Sequence, residues 1–320
     1  MKTEITLIPY YRDVETTLPW YQDVELVKQV DNKEEPYTEE NLLRMYEYLN
    51  THGALFYIGY NGKPVGDICI QDTHEVSIVI AKEYQNLHIG RRALKLLEDY
   101  ARKSGHDRMT AQIYSFNGQS RKIFTQFGFR QSWEEFYVYP LVSYKDVQIE
   151  TKDVILKKGK PEDYYDIWQN LWKHKESARF MMWEPTYTEE EAKDRMLRTV
   201  RFQEREKYAF LVYEKQSGKA IGFANMQEIG RGTYMEQGVA LGPDYVGKGY
   251  GKQILNALVD AAFADQGEEF WSMCRVKNIA SHKVQMECGF ATDHYGEEET
   301  DPRTGEKFVR EYNVRRKNSP

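Results

Sequence analysis

The stretch that decides the fold runs from Gly238 to Asp260 and reads GVALGPDYVGKGYGKQILNALVD. It begins with a short apolar strand and a turn, and glycines follow at positions 247, 249 and 251. Apolar residues then recur at helical spacing on one face, which predicts a helix that starts at the glycine loop. Because glycine lacks a Cβ, the N–H groups of such a loop can approach a phosphate closely. An ordinary flexible loop is the alternative, and an isolated glycine cluster would favour it.

The same arrangement occurs twice in the chain. Six pairs of residues are each 161 positions apart: Glu75 and Glu236, Gly90 and Gly251, Asn117 and Asn278, Ser120 and Ser281, Gly128 and Gly289, and Phe129 and Phe290. One offset held by all of these pairs indicates an internal repeat of a single α/β domain. We therefore predict two domains, at residues 1–145 and 150–320, which join near Val142–Thr151 and pack on each other. We expect a monomer or a homodimer.

Local signals place the main elements in each half. A strand is predicted at 3–10 and a helix at 38–49. Asn61-Gly62-Lys63-Pro64 lies between two apolar runs, at 54–60 and 65–71, which is a strong signal for a hairpin. In the second half, Thr188 and Glu191 have the spacing of a capping box, which predicts a helix over 188–201. A strand over 307–315 closes the chain.

The composition excludes several classes of protein. Hydrophobic residues make up 41% and charged residues 29% of the 320, which is typical of globular proteins. The net charge of −6 argues against nucleic acid as a partner, and no apolar run approaches the roughly 18 residues of a membrane span. Three scattered cysteines, and histidines without ligand-like spacing, predict a reduced cytoplasmic protein without a metal. Acidic residues near the start argue against a signal peptide.

The order and spacing of these motifs resemble the GNAT acetyltransferase superfamily. Its signature is Gln/Arg-x-x-Gly-x-Gly/Ala after a strand, then an Asn at the end of the next strand and a Gly-Phe after the next helix. The corresponding residues are Gln85–Arg91, Asn117 and Gly128-Phe129 in the first half, and Val246–Lys252, Asn278 and Gly289-Phe290 in the second. The resemblance covers nearly the whole chain. It implies two tandem GNAT-type domains, each with a central, mostly antiparallel twisted sheet flanked by helices.

The second half is most similar to the branch that contains ribosomal-protein alanine and small-molecule acetyltransferases. This similarity rests on Trp183-Glu184-Pro185, Thr188–Ala192, Gly218–Gly222 and Asn278-x-x-Ser281. The branch implies an acceptor with a primary amine, in a small molecule, a peptide or a protein. Trp20, Tyr21, Trp183 and Tyr187 lie in or beside segments that line the acceptor side in this family, although aromatic residues mostly pack cores.

The resemblance also implies that acetyl-CoA is the co-substrate. The loop N–H groups would hold its pyrophosphate, and its pantetheine arm would pair with the preceding strand like an added strand. The implied binding residues are Ile78, Ile80, Gln85, His88, Gly90, Arg91, Asn117 and Ser120 in the first half, and Val239, Leu241, Gly247, Lys248, Gly249, Tyr250, Gly251, Lys252, Asn278 and Ser281 in the second. Asn117 and Asn278 are equally suited to cap the helices that follow them.

Acetyl transfer needs a neutral amine, and a lysine-like amine has a pKa of about 10.4, so a general base assists the reaction. Glu75 and Glu236 are predicted at the start of the central strand, where several GNAT enzymes place a base. A solvated strand-end carboxylate is the alternative, and Asp67 and Glu228 are weaker candidates for the base. The tyrosine acid of the family, seven residues after the Asn, is replaced by Phe124 and Gln285. The leaving thiolate would then rely on water or another residue.

The two halves differ in their loops. We favour the second half as the catalyst, because His88 places a Cβ beside the pyrophosphate path in the first. The alternative function is a CoA- or amine-binding sensor without turnover, with one copy degenerate, which the two missing tyrosines suggest. A dinucleotide-binding oxidoreductase fits less well, because the glycine loop does not follow the first strand.

Overall fold

A computed structural model describes residues 4–317 of the chain. The chain divides into two compact units, of which the first ends at Val142 and the second begins at Ser143. The first residue of the strand predicted at 3–10 lies outside the described residues. So do the outermost residues of the two predicted domains, at positions 1–3 and 318–320.

Among residues 4–142 the first unit contains seven strands and five α-helices. In chain order they are β1 (Ile5–Pro9), α1 (Val14–Tyr21), α2 (Val24–Asp31), α3 (Glu39–Thr51), β2 (Gly53–Tyr60), β3 (Lys63–Gln71), β4 (Val76–Ile80), α4 (Ile89–Lys103), β5 (Arg108–Gln112), α5 (Gly118–Phe127), β6 (Arg130–Trp133) and β7 (Phe136–Pro140).

The strands of the first unit form two antiparallel sheets, with orders β1-β2-β3-β4 and β5-β7-β6. A parallel bridge between Glu75 and Thr110 links the beginning of β4 to β5. Beyond this bridge, β4 and β5 share no backbone ladder within residues 4–142. We call the gap between these two strands the first wedge, and its narrow end lies at Glu75.

The turn between β2 and β3 confirms the hairpin prediction. Asn61 and Gly62 both adopt left-handed φ angles, of 50° and 83°. These are the angles of a type I′ turn, whose twist matches the twist of the two strands. Asn tolerates this region better than most residues, and Gly has no Cβ to oppose it.

Among residues 143–317 the second unit contains eight strands and five α-helices. In chain order they are β8 (Gln148–Glu150), β9 (Val154–Lys157), α6 (Tyr164–Ile167), which continues as a π-helical turn (Trp168–Trp172), α7 (Lys175–Ala178), α8 (Glu189–Gln203), β10 (Ala209–Glu214), β11 (Ala220–Gly230), β12 (Thr233–Leu241), α9 (Tyr250–Ala264), β13 (Glu269–Arg275), α10 (Ile279–Glu287), β14 (Ala291–Thr300) and β15 (Lys307–Arg316).

One sheet of order β14-β15-β13-β12-β11-β10-β9-β8 runs through the second unit. Its neighbours are antiparallel except β12 and β13, which are parallel and pair only from Thr233–Met235 to Glu269–Trp271. Past Met235 the two strands separate. We call the gap between residues 236–241 of β12 and residues 272–275 of β13 the second wedge. Its narrow end lies at Glu236, as that of the first wedge lies at Glu75.

Both faces of each main sheet are covered by helices. In the second unit, β10 is buried throughout: Phe210 and Val212 pack with α9, whereas Leu211 and Tyr213 pack with the opposite group of helices. In the first unit, α4 packs on one face through Ala93, Leu94, Leu97 and Ala101. Helices α1 to α3 cover the other face, with Tyr21, Leu42 and Tyr46 among the buried residues. This arrangement confirms the predicted α/β fold with sheets flanked by helices.

Some elements differ from the sequence expectation. Strand β14 is exposed along nearly its whole length, so it has no alternating pattern and is defined by its pairing with β15. Strand β8 lies in the stretch expected as the join and pairs with β9. Helix α1 contains Pro19, which weakens the helical signal. Glu236 is the fourth residue of β12, not the first, because β12 already begins at Thr233.

Candidate functional site

The loop before α9 has a backbone suited to an anion. Gly247 and Gly249 adopt left-handed φ angles of 77° and 82°. Alternation of left- and right-handed residues turns successive N–H groups toward one side. Gly249 is the N-cap of α9, and no side chain among the described residues caps this helix start. The N–H groups of the first turn therefore remain available to a phosphate.

The first unit has the same loop backbone without these glycines. Asn86 and His88, at the positions of Gly247 and Gly249, have φ angles of 60° and 59°. His88 is the N-cap of α4, whose start likewise has no side-chain cap within residues 4–142. A Cβ built at Gly249 meets nothing within 4 Å. The Cβ of His88 is therefore compatible with this loop, and backbone conformation gives no reason to prefer either unit.

The strands that precede these loops each expose one backbone edge. The N–H of Ala81 donates to Val65 O at 2.9 Å, so the odd-numbered residues of β4 bond to β3. The backbone groups of Ile78 and Ile80 consequently face the first wedge. In the same way, Gly242 N donates to Ile221 O at 2.9 Å, which directs Val239 and Leu241 toward the second wedge. The four predicted pairing residues thus face the open edges.

Two side chains already contact these edges. Gln85 Nε2 donates to the carbonyl of Ile80 at 3.0 Å. Ser177 Oγ, on α7, lies 3.4 Å from the carbonyl of Leu241. Each carbonyl has a second lone pair, so these contacts and a further donor are compatible. Gln85 therefore lies at the mouth of the first wedge.

Glu236 lies at the narrow end of the second wedge. Its Oε2 accepts a hydrogen bond of 2.5 Å from Ser272 Oγ on β13. Gly238, with a φ of 119°, forms a bulge in β12, and the N–H groups of Gly238 and Val239 also bond to the Glu236 carboxylate. Burial raises the pKa of Glu236 above its ordinary value, while these hydrogen bonds oppose the rise. A carboxylate with a raised pKa at the end of a cleft is a candidate general base.

Glu75 has the corresponding place in the first wedge. It forms the parallel bridge with Thr110, and its carbonyl accepts from Gln71 N at 2.8 Å. Tyr114 follows β5 on the other side of this wedge. Burial raises the pKa of Tyr114, and the negative charges of Asp31, Glu135 and Glu75 add to the rise. The sequence did not single out Tyr114, because one tyrosine among 24 carries no signal of its own.

Asn117 and Asn278 act as helix caps. The Oδ1 of Asn117 accepts from Ser120 N at 3.0 Å, and the Oδ1 of Asn278 accepts from Ser281 N at 3.2 Å. Asn117 Nδ2 also donates to Gln29 O at 3.1 Å, which ties α2 to the start of α5. The capping alternative for both residues is therefore confirmed. It occupies the side-chain oxygen of each and the backbone N–H of each serine.

The positions where the family has its tyrosine acid are part of the core. Phe124 is buried and packs edge to face against Phe129. Gln285 is buried as well; its Nε2 donates to Ser281 Oγ at 3.1 Å and its Oε1 accepts from Asn313 Nδ2 at 2.7 Å. Neither side chain is able to protonate a leaving thiolate.

The side chains of the loops differ in what they offer an anion. Lys248 and Arg91 are exposed, and the Lys248 ammonium lies 5.0 Å from the ring centre of Tyr245. Lys252 pairs with Glu287 at 3.8 Å across the surface. The hydroxyl of Tyr250 donates to the buried Glu214 at 2.8 Å. Tyr250 therefore offers a ligand its backbone N–H only.

The glycines inside both helix starts permit close packing. A Cβ at Gly90 would lie 3.7 Å from Ile78 Cδ1, and a Cβ at Gly251 would lie 3.9 Å from Val284. These are ordinary contact distances, so an alanine would fit at either position. The glycines at 90 and 251 are thus less essential to the loop than its left-handed residues.

The aromatic residues expected on the acceptor side differ in their exposure to solvent. Trp20 and Tyr21 are buried in the core beneath α1 to α3, so they do not line a cleft. Tyr187 is 63% exposed. The structure instead places Met181 and Phe223 at the second wedge, where each would lie 3.3 Å from a Cβ at Gly238. Neither residue could be predicted from the sequence, because their position depends on the bulge.

Asp67 is enclosed and does not face an acceptor. Its Oδ2 accepts hydrogen bonds of 2.8 Å from both Tyr21 Oη and Tyr46 Oη. Burial raises the pKa of Asp67 to about 6, and the two phenols oppose the rise. The carboxylate is therefore part of the core, and Asp67 is wrong as a substitute base.

No group of three or more histidines, cysteines or carboxylates within residues 4–317 is placed to hold a metal ion. In the same range, no helix has the length and apolar character needed to span a bilayer.

Comparison with protein families gave one match for each unit. A family model described as "Acetyltransferase (GNAT) domain" matches residues 153–291, and one described as "Acetyltransferase (GNAT) family" matches residues 18–129. Each match includes the loop, the wedge and the Asn cap of its unit. Comparison with curated proteins gave no match.

Several solved structures resemble part of the chain. An acetyltransferase of the GNAT family from Bacillus anthracis shares 16% identity over 54% of this chain and 100% of its own, with a TM-score of 0.47. A ribosomal-protein-S5-alanine acetyltransferase from Vibrio fischeri shares 22% identity over 55% of this chain and 100% of its own, with a TM-score of 0.44. A spermidine N-acetyltransferase from Vibrio cholerae, solved with CoA and spermine, shares 19% identity over 52% of this chain and 96% of its own, with a TM-score of 0.43.

Proposed function

The chain belongs to the GNAT family of N-acetyltransferases, with one domain in each unit, and from this we propose that it acetylates a primary amine of a small molecule, peptide or protein. Acetyl-CoA is the donor in this proposal. The observation that supports it best is the combination of an uncapped helix start, a left-handed loop and an open strand edge beside a wedge. Both units have this combination.

In this proposal the loops bind the pyrophosphate of acetyl-CoA. The N–H groups of residues 247–251 and 86–90 lie at the start of a helix, where a negative charge is favoured. Lys248 and Arg91 add positive charge from exposed side chains. The outward carbonyl of Val239, whose N–H bonds to Glu236, and the outward backbone groups of Ile78 would pair with the amides of the pantetheine arm. The residues present therefore fit the coenzyme in both units.

Glu236 is the proposed base of the second unit, and Glu75 is its counterpart in the first. Bound acetyl-CoA supplies an activated acyl group. Glu236 accepts a proton from the acceptor ammonium, directly or through water, and the neutral nitrogen attacks the thioester carbonyl. A C–N bond forms, the C–S bond breaks, the nitrogen loses its second proton to water, and the thiolate leaves.

The thiolate takes its proton from water in this scheme. Phe124 and Gln285 are enclosed and provide no acid. A thiol has a pKa of about 8.5, so its conjugate base is a tolerable leaving group near neutral pH. The missing tyrosine therefore does not prevent turnover.

A thiol-release assay tests the proposal. The purified chain is mixed with acetyl-CoA and a panel of polyamines, amino acids and peptides, and free thiol is measured over time. We expect at least one amine to accelerate thiol release and to gain an acetyl group by mass spectrometry. If no amine does so and calorimetry detects no CoA binding, the proposal is wrong. CoA binding without acetylation of any amine would favour a sensor instead.

A further inference from the structure

A groove on the second unit lies outside the residues assigned above to the coenzyme and the base. It has a volume of about 570 Å³ and is bounded by residues 183–186 on one side and by α8 on the other. Arg195 and Arg198 line it from the helix, and Trp183 and Thr186 line it from the loop. It is open to solvent over much of its surface, so a ligand would reach it without any rearrangement.

Arg195 is held rigidly in this groove. Its Nη1 donates to Thr186 Oγ1 at 2.9 Å and to Glu184 O at 3.2 Å. Its guanidinium carbon lies 4.5 Å from the ring centre of Trp172 and 4.7 Å from that of Trp183. Both distances are within the range of cation–π contacts. The orientation of the guanidinium is therefore fixed before any ligand binds.

The charge of Arg195 has no carboxylate partner among residues 4–317. Burial and the nearby Arg198 lower the pKa of Arg195 to about 10, and no carboxylate opposes them. Arg198 is itself paired with Asp194 at 2.5 Å. Glu191 also lines the groove, but its Oε2 accepts from the N–H groups of Tyr187 and Thr188. A half-buried cation without a counter-charge is costly unless something else supplies one.

One edge of the guanidinium is left for a ligand. Within the described residues, the protein contacts of Arg195 use Nη1, so Nε and Nη2 make no hydrogen bond to the chain. These two groups present parallel N–H donors in the geometry that matches a carboxylate or a phosphate. The Nε1–H of Trp183 is enclosed and also lacks an acceptor within residues 4–317.

We propose that this groove binds an oxyanion, a carboxylate or a phosphate of an organic ligand, through the Nε and Nη2 edge of Arg195. A fixed guanidinium loses little freedom on binding, which favours affinity. The half-exposed Phe202 adds apolar surface beside the charge.

The groove and the second wedge are connected by one short stretch of chain. Met181, whose methyl group lies at the Gly238 bulge, is two positions before Trp183, a step of at most about 7 Å. Binding of an anion in this groove does not depend on acetyl transfer.

The indole N–H resonance of Trp183 provides a local readout by NMR, assigned with W183F. Sodium glutamate and inorganic phosphate are titrated separately at constant ionic strength, with sodium chloride as the reference salt. We expect a saturable shift with glutamate or with phosphate, and the more effective anion identifies the source of the oxyanion. R195Q should weaken the binding at least tenfold. R201Q, an exposed arginine of α8 outside the groove, is the matched control and should bind as wild type.

R195K keeps the proposal testable if R195Q fails to fold. Lysine retains a charge and an aliphatic stem but lacks the parallel donors, so we again expect weakened binding with an unchanged circular dichroism spectrum. Phosphate bound at the glycine loop does not confuse the result, because the readout is Trp183. The absence of a saturable shift with either anion would overturn the proposal. Equal affinities of folded R195K and wild type would overturn it as well.

Discussion

Two opposing effects act on the pKa of Glu236. Its hydrogen bonds with Ser272 and with the amides of Gly238 and Val239 stabilise the charged form, whereas burial stabilises the neutral form. A base that works near neutral pH has to be ionised and still basic. The balance between these influences therefore sets the pH at which the second unit begins to work in the proposed reaction.

Replacing Ser272 with Ala should move the acid limb of the pH–rate profile to higher pH. The Ser272 hydroxyl lowers the pKa of Glu236, so its loss leaves burial less opposed and raises that pKa further. Because the base has to be deprotonated, kcat/KM rises with pH through this pKa, and the profile of kcat/KM measures it. E236Q should abolish the limb and lower kcat/KM by about 10²- to 10⁴-fold.

Ser217 provides the matched control for S272A. Its Oγ donates to Glu214 Oε2 at 2.8 Å, the same kind of pair away from the wedge. S217A should leave the acid limb in place. An S272A profile that coincides with the wild-type profile would show that a group other than Glu236 sets the limb.

Asp67 should make the first unit less stable as the pH rises from about 4 to 6. Its folded-state pKa of about 6 lies above its ordinary value of 3.8, so the unfolded chain ionises first. The contribution of Asp67 to the stability is therefore greatest below pH 4, falls through this window and stays level above it. The total loss is about 3 kcal/mol.

D67N should flatten this dependence relative to wild type. Urea unfolding at pH 4, 5, 6 and 7 measures the free energy of unfolding, and E40Q, an exposed carboxylate on α3, controls for loss of charge alone. Parallel pH curves for D67N and wild type would mean that Asp67 has the same pKa in the folded and the unfolded chain.

At the scale of the element, the loop before α9 is defined by two left-handed residues. Gly249→Val places a β-branched side chain at a φ of 82°, which is strained although its Cβ meets no neighbour. We expect the loop to rearrange and the affinity of the second unit for CoA to fall at least tenfold by calorimetry.

Gly218→Val is the control for this strain. Gly218 also has a left-handed φ, of 71°, and open space around its Cβ position, but it lies in the β10–β11 turn. G218V should lose similar stability and keep the affinity for CoA. Equal affinities of G249V and wild type would show that the loop conformation is not required.

The sequence predicted the elements that have strong local signals. The Asn61-Gly62 turn and the Thr188–Glu191 capping box are confirmed, and both hydrogen bonds of the box are present, at 3.2 and 3.1 Å. These features depend on residues within four positions of one another, so local chemistry is enough. Strand β14 pairs with the strand that follows it in the chain, but its exposed residues have no alternating pattern and carried no strand signal of their own.

The sequence pointed to the candidate site where the repeat placed equivalent residues at a constant offset. The constant offset led to Glu75 and Glu236 and to both loops. The bulge at Gly238, the approach of Met181 and the exposed edge of Arg195 arise from tertiary contacts, which no spacing encodes. At His88 the sequence suggested a difference that the structure does not show. This histidine stands where the family usually has glycine, yet it adopts the same left-handed backbone as Gly249.

At the scale of the whole molecule, the matching loops predict two CoA molecules bound per chain. Calorimetry with wild type should give a stoichiometry of two, and G249V should leave one site. The double variant N86V/H88V should leave the other site, because valine disfavours the left-handed φ at both positions. A wild-type stoichiometry of one that G249V reduces to none would mean that the first unit does not bind CoA.

Strand β14 has a consequence for how the protein behaves at high concentration. It is an edge strand of the eight-stranded sheet, and most of its residues are exposed. One row of its backbone N–H and C=O groups therefore faces outward. An exposed edge strand can pair with a strand of another chain, which then extends the sheet. Two features oppose this pairing. The consecutive glutamates at 297–299 would repel the same glutamates of a second copy, and the irregular register between Tyr295 and Glu298 interrupts the regular hydrogen-bond ladder. Acid neutralises these glutamates and leaves the irregular register to oppose such pairing.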